Sequence, residues 1–232
     1  MADERLYAAD NQLWQNFVDA ESLTVEQIAQ FKRYTQLLTD WNERMNLTAI
    51  TDLADIIDYH FKDSLALGHI IDLQKITMIA DVGTGAGFPG IPLKIVYPHL
   101  HVILIEVVQK KVKFLQAVIQ DLGLTNIEVV SVDWLTFLRT SMRPVNLFCA
   151  RASLAPELLV SMFAKWSGYK KAKLVYWAAN SWEKTAVIVP FLEKEVSYTV
   201  GQKNRKLVFF RFPGRAGKRS NVRGHSSNKG SA

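Results

Sequence analysis

Apolar residues recur at helical intervals through the first third of the chain. Ile28, Phe31, Leu38, Trp41 and Met45 are spaced to share one helix face, and Thr24 with Gln27 three residues on has the spacing of a capping box that would open that helix. From Lys75 the pattern changes to short aliphatic runs, ITMIADVG, HVILIE, IEVV, VNLFCA, KLVYW and KLVFFRF, separated by stretches of helical length. This alternation predicts an α/β architecture, a mostly parallel sheet covered by helices. Between the second and third runs, Gln109 to Leu122 followed by Gly123 has the length and terminal glycine of a crossover helix. The pattern divides the chain into an N-terminal helical segment (1–72), an α/β domain (73–212) and a tail (213–232). No internal repeat is visible.

Composition narrows the class. With 232 residues, 49% of them hydrophobic and 22% charged, the chain has the makings of one sizeable core with an appendage. No apolar run approaches the roughly 18–20 residues needed to cross a bilayer, and the first thirty residues carry acids where a signal peptide needs a basic start, so a cytoplasmic protein without a membrane partner is expected. The single cysteine, Cys149, excludes an internal disulfide framework and a cysteine-rich zinc module, and no metal site is expected. The net charge of +6 conceals a gradient: residues 1–63 hold 12 acids against 5 bases, whereas residues 201–232 hold 9 bases and no acid. A Gly- and Ser-rich basic end points to a polyanionic partner. Before the fifth run, Trp166, Tyr169, Lys170, Lys171 and Lys173 form an aromatic and basic cluster that reads either as an RNA grip or as a solvated turn.

The densest chemical signal is DVGTGAGFPG, Asp81 to Gly90, between the first run and the short helical stretch IPLKIVY. Glycines let a backbone approach a ligand closely, and the helix behind offers free amides. Gly85, Gly87 and Gly90 satisfy GxGxxG, and Glu106 closes the next run 21 residues after Gly85, where an acid that binds ribose hydroxyls is expected. NAD and S-adenosylmethionine both fit this spacing. A carboxylate at Asp81 would attract the ammonium group of the methyl donor and repel a pyrophosphate. The helical lead and the lack of a His or Tyr-Lys pair suited to hydride transfer also favour the methyl donor.

Three strings in order, WNERMNLTAI (Trp41 to Ile50), HFKDSLAL (His60 to Leu67) and DVGTGAGFPGIPL (Asp81 to Leu93), make the chain resemble the bacterial 16S ribosomal RNA methyltransferases called glucose-inhibited division protein B. The resemblance implies a class I S-adenosylmethionine-dependent methyltransferase, a Rossmann-like and mostly parallel seven-stranded sheet behind a helical segment. It also implies methyl transfer to nitrogen 7 of a guanine in 16S ribosomal RNA, with that RNA or the small ribosomal subunit as partner. Carried over, it places Gly83 and Phe88 in the donor loop with Asp81 and Gly85, gives Glu106 the ribose and sets Arg151 after the fourth strand. Where the family usually has arginine-x-glutamate against the adenine, this chain has VDWLTF, so Asp133, Trp134 and Leu135 stand in there. Further on, WSGYKKAKLVYWAAN replaces the family's proline-glycine-glycine turn and lysine-glycine pair. KNRKLVFF resembles the final strand, with Arg205 and Lys206 joining Lys170 and Lys171 as candidate RNA contacts. A NAD-linked Rossmann oxidoreductase and a catalytically idle, donor-binding RNA-binding protein remain the alternatives.

Guanine nitrogen 7 carries a lone pair at neutral pH, so the chemistry requires alignment of nucleophile, methyl and sulfur and no general base. No acid–base residue is therefore expected. Arg151 is the candidate at the site, touching donor or phosphate, or else pairing with a nearby acid. His60 and Asp63, three residues apart, share a helix face, either at the target pocket or as a stabilising pair. Cys149 lies inside an apolar strand and reads as a core thiol, not as the nucleophile of a cytosine methyltransferase. A monomer is the expected state.

Overall fold

The computed structural model describes residues 2–169 and 172–212. Two long helices open the chain, α1 (Ala2–Glu21) and α2 (Val25–Met45). The capping box at the start of α2 forms as the sequence predicts: the Gln27 amide donates to Thr24 Oγ1 at 3.2 Å and the Thr24 amide to Gln27 Oε1 at 2.9 Å. A third helical stretch follows as α3 (Leu53–Ile56), a π-helical turn (Ile57–Lys62) and α4 (Asp63–Ile70). Such π-helical turns are rare and frequently mark functional sites.

The α/β part alternates as the hydrophobic runs predict. β1 (Met78–Val82), α5 (Gly90–Val96), β2 (His101–Ile105), α6 (Gln109–Asp121), β3 (Ile127–Val130), α7 (Trp134–Thr140), β4 (Leu147–Arg151), α8 (Pro156–Trp166) and β5 (Lys173–Ala179) are followed by a hairpin, β6 (Leu192–Val200) and β7 (Lys203–Phe210). The sheet order is β3-β2-β1-β4-β5-β7-β6. The first five strands run parallel, and β7 enters antiparallel between β5 and β6. Strand order reverses between β1 and β4, which opens a crevice at the carboxyl ends of these strands, where ligands of open α/β sheets bind.

Successive strand residues face opposite sides, so each face has its own core. Cys149, Ile79, Val175 and Phe209 point to one side and pack with Phe17, Phe31, Tyr34 and Phe61 of the N-terminal helices and with Phe114 of α6. Phe148, Ala80, Ile103 and Phe210 point to the other, against Trp134, Phe137 and Phe163 of α7 and α8. The division near residue 72 thus separates elements but not cores: the helical segment shares with α5 and α6 one of the two layers covering the sheet. Cys149 is fully buried, and burial pushes its thiol well above the usual range, so it remains a neutral core group.

Candidate active site

The glycine loop is tied down at both ends. Gly83 and Thr84 donate their amides to the Ile105 carbonyl at 2.9 and 3.1 Å, and the Tyr34 hydroxyl of α2 donates to the Ala86 carbonyl. Asp81, expected to face a ligand, is instead wholly buried. Its Oδ2 accepts from the Thr84 hydroxyl at 2.6 Å and from the Gly90 amide at 2.8 Å, clasping the loop from within. This corrects the sequence reading: the side chain leaves β1 on the side of α5, and burial pushes its carboxyl up to about 6. Its other oxygen, Oδ1, has no hydrogen-bond partner among the described residues.

Glu106, just past β2, sits at the mouth of the crevice. It is buried, and its two oxygens accept from the Gly85 amide at 3.0 Å and the Val108 amide at 2.9 Å. Each carboxylate oxygen offers about two lone-pair sites, so Glu106 keeps acceptor capacity. A cavity of about 150 Å³ adjoins it, lined by Val82, Gly83, Ile105, Glu106, Val107, Val132, Asp133, Trp134 and Leu154. Small-molecule pockets usually start near 300 Å³, so this space takes one end of a ligand. A carboxylate with spare acceptor capacity beside an indole and aliphatic walls suits an adenosine. The Trp134 Nε1 at the wall is buried without a partner among the described residues, as is the Ser153 hydroxyl beside Gly83, and a buried polar group without a partner calls for one from water or a ligand. Gly85 has φ +62° and nothing within 4 Å of where a Cβ would stand. Gly85→Ala is expected to lower stability by only about 1–2 kcal/mol, from the left-handed backbone, while weakening donor binding at least tenfold. Calorimetric titration beside thermal melts reads both effects.

A second cluster joins β4 to the helical segment. Arg151, largely buried at the end of β4, donates through Nη1 to the Tyr59 carbonyl at 2.7 Å and to Asp63 Oδ2 at 2.8 Å, and through Nη2 to His60 Nδ1 at 3.0 Å. Because a guanidinium only donates, His60 Nδ1 accepts and the proton resides on Nε2, which donates to Thr48 Oγ1 at 2.8 Å. The His60 ring lies flat on Phe88, centroids 4.3 Å apart and planes 8° from parallel, and the Arg151 guanidinium stands 5.2 Å from the same ring. Asp63 Oδ1 accepts from the Tyr198 hydroxyl of β6 at 2.6 Å and lies 4.0 Å from Arg205 Nε. The Trp177 indole of β5 donates to the Asp63 carbonyl at 2.8 Å. His60 and Asp63 therefore do not pair with each other, and both hold Arg151. Of the two readings of Arg151, pairing with an acid is the one seen.

His60 titrates far from its ordinary range: burial first, then the Arg151 charge, lowers its pKa to about 3. A base held below its unfolded value binds a proton more readily in the unfolded chain, so this group withdraws stability as pH falls from about 6.5 toward 3. Asp81, held above its unfolded value, acts with the opposite sign between about 6 and 4. His60→Gln keeps an acceptor for Arg151 and a donor for Thr48 but does not titrate. Between pH 7 and 5 the parent protein is expected to lose about 2 kcal/mol relative to this variant. Urea unfolding at both pH values measures the difference, and a constant difference would mean that His60 titrates alike in the native and unfolded protein.

Other expectations meet different surroundings. Phe88 packs among Tyr34, His60 and Phe61 and does not line the cavity. Asp133 caps α7 through the Thr136 amide at 2.9 Å while lining the cavity, whereas Leu135, half-buried, does not line it. Arg205 and Lys206 do not form one basic patch: neighbours on β7 point to opposite faces. Arg205 turns toward Asp63, with its buried Nε unpartnered among the described residues, and Lys206 donates to the Trp182 carbonyl at 3.2 Å near Glu195. Lys170, Lys171 and the tail from Pro213 lie outside the described residues. Tyr34, Thr48 and Tyr198 were missed; nothing in their local sequence marks them, since each acts across 12 residues or more.

The sheet order, the glycine loop after β1 and the acid after β2 define a class I methyltransferase fold. A solved structure titled as a SAM dependent methyltransferase from Aquifex aeolicus shares the architecture, with a TM-score of 0.52 and 17% identity over 71% of this chain and 97% of that one. The model of the GidB family, described as rRNA small subunit methyltransferase G, matches residues 27–179, and the chain belongs to that family. Curated relatives named ribosomal RNA small subunit methyltransferase G include those of Lysinibacillus sphaericus, 47% identical over 47% of this chain and 45% of the relative, and Geobacillus kaustophilus, 44% identical over 60% of each. The chain spans about half the length of the curated relatives it matches.

Proposed function

We propose that the protein transfers the methyl group of S-adenosylmethionine to nitrogen 7 of a guanine in small-subunit ribosomal RNA. The observation that carries this reading is that the family match over residues 27–179 contains both the Glu106 cavity and the Arg151–Asp63–His60 cluster. When bound, S-adenosylmethionine supplies an electrophilic methyl on a sulfonium. Glu106 would hold the ribose hydroxyls, Trp134 and Leu154 would flank the adenine, and Gly83 with Gly85 would let the backbone approach the rest of the donor. Arg151 is braced by three acceptors, which fixes the wall of the crevice between β1 and β4. Alignment is what these residues supply, in keeping with a nucleophile that needs no deprotonation.

The protein's work would lie beside ribosomal RNA in the cytoplasm; among the described residues no helix is long and apolar enough to cross a membrane. The test combines purified protein, methyl-labelled S-adenosylmethionine and small subunits or 16S RNA from a host lacking the modification, followed by nucleoside analysis. Label in 7-methylguanosine is expected. Tight donor binding with no labelled RNA would leave the idle RNA-binding alternative, and a preference for NAD would restore the oxidoreductase.

A further inference from the structure

A second surface stands apart from the crevice. Helix α7 begins with Trp134 at the cavity wall, and its seven residues carry the chain about 10 Å away. Near its far end Arg139 stands 5.0 Å from the ring centre of Trp166, the last residue of α8, and Lys165 stands 4.9 Å from the same ring. Trp166 is 42% exposed. The Tyr169 hydroxyl donates to the Ser141 carbonyl at 3.1 Å and joins the segments that follow the two helices, one of which carries Met142, 95% exposed.

Neighbouring cations are neutralised, Arg143 by Glu128 at 2.7 Å and Lys173 by Glu193 at 2.8 Å. Among the described residues, no carboxylate lies within 4.0 Å of Arg139 or Lys165. A helix dipole accounts for a cation in each last turn, but not for an indole left in water beside them. Unpaired cations around an exposed aromatic group are what single-stranded nucleic acid requires: charge for successive phosphates and an apolar surface for a base.

We propose that Arg139, Lys165 and Trp166 form a second contact for single-stranded RNA, outside the donor crevice. The two cations neutralise backbone phosphates, and Trp166 supports an unstacked base. The proposal rests on the reading of the substrate as RNA, and it adds a place that holds the RNA away from the reacting guanine.

The experiment measures binding of the full chain to 16S RNA from a host lacking the modification, across a salt series. It compares the parent with R139E/K165E, R139K/K165R, Trp166→Ala and Trp166→Phe, with S-adenosylmethionine affinity as the check on folding. R139E/K165E is expected to weaken RNA binding at least tenfold at low salt and to flatten the slope of log K against log salt by about 1.5 units, roughly 0.7 per phosphate contact. Trp166→Ala is expected to lose about fivefold or more, and the charge-keeping pair and Trp166→Phe to retain most of the affinity. Parent-like RNA binding by R139E/K165E and Trp166→Ala, with donor affinity intact, would overturn the proposal. So would competition by polyglutamate as effective as that of RNA, which would assign the surface to an acidic protein. The substrate reading fails separately: a parent that binds RNA through these residues but forms no 7-methylguanosine keeps the surface and loses the reaction.

Discussion

Asp63→Ala is expected to destabilise the protein by about 3–5 kcal/mol, the cost of leaving a buried charge without its partner. The side chains of Asp63 and Arg151 are 2% and 14% exposed, so water cannot replace the lost carboxylate. The substitution also strips the Tyr198 hydroxyl of its acceptor; burial and then Asp63 hold that phenol far above its usual range, so it cannot ionise to escape. For a domain of this size 1 kcal/mol moves the melting temperature by about 2–4 °C, so a fall of roughly 10 °C is expected by calorimetry. Replacing both members, as Asp63→Leu with Arg151→Met, removes the stranded charge and is expected to recover much of the loss. The same double variant is expected to lose the proposed methyl transfer, because the wall beside Phe88 is no longer held. A melting temperature within about 2 °C of the parent for Asp63→Ala would show that the pair is solvated and that the cluster does not brace the crevice.

The length of that cluster's loops explains what could be read in advance. Thr24 with Gln27, the crossover helix over Gln109–Asp121 and the loop from Asp81 to Glu106 are local signals, each written within about 25 residues. Arg151 meets Asp63 across 88 positions and Asp63 meets Tyr198 across 135, and no spacing rule reports pairs that only the folded sheet brings together. β6 escaped because it is an edge strand carrying Glu193, Lys194 and Glu195; charge protects an exposed edge from pairing with other chains and hides the alternation that would reveal it. The opposed directions of Arg205 and Lys206 were legible, since a period of two separates neighbours on any strand. Phe88 drew attention through its place in the glycine loop, yet a loop pinned between two layers also needs an anchor in the core. Its contacts with Tyr34 and His60 make it that anchor.

Such anchoring leaves Glu106 as the side chain whose loss is expected to cost the donor most. Glu106→Ala removes a carboxylate that would meet two ribose hydroxyls, and hydrogen bonds to a charged group contribute about 1.5–3 kcal/mol each. A total near 3 kcal/mol corresponds to roughly a hundredfold weaker binding. The same change frees the amides of Gly85 and Val108, now held at 3.0 and 2.9 Å, so the loop loses its latch as well. Glu106→Gln separates the two contributions. Its carbonyl still accepts from one amide, but its NH₂ faces the other and the charge is gone, so a loss of about tenfold is expected. Titration calorimetry with S-adenosylmethionine reads both variants, and thermal melts without donor report the latch. If Glu106→Ala melts early yet binds donor like the parent, the ribose is held elsewhere and Glu106 serves only the loop. If both variants bind NAD as well as they bind S-adenosylmethionine, the acid does not choose between cofactors. The choice then falls to Trp134 and Leu154 in the walls of the cavity.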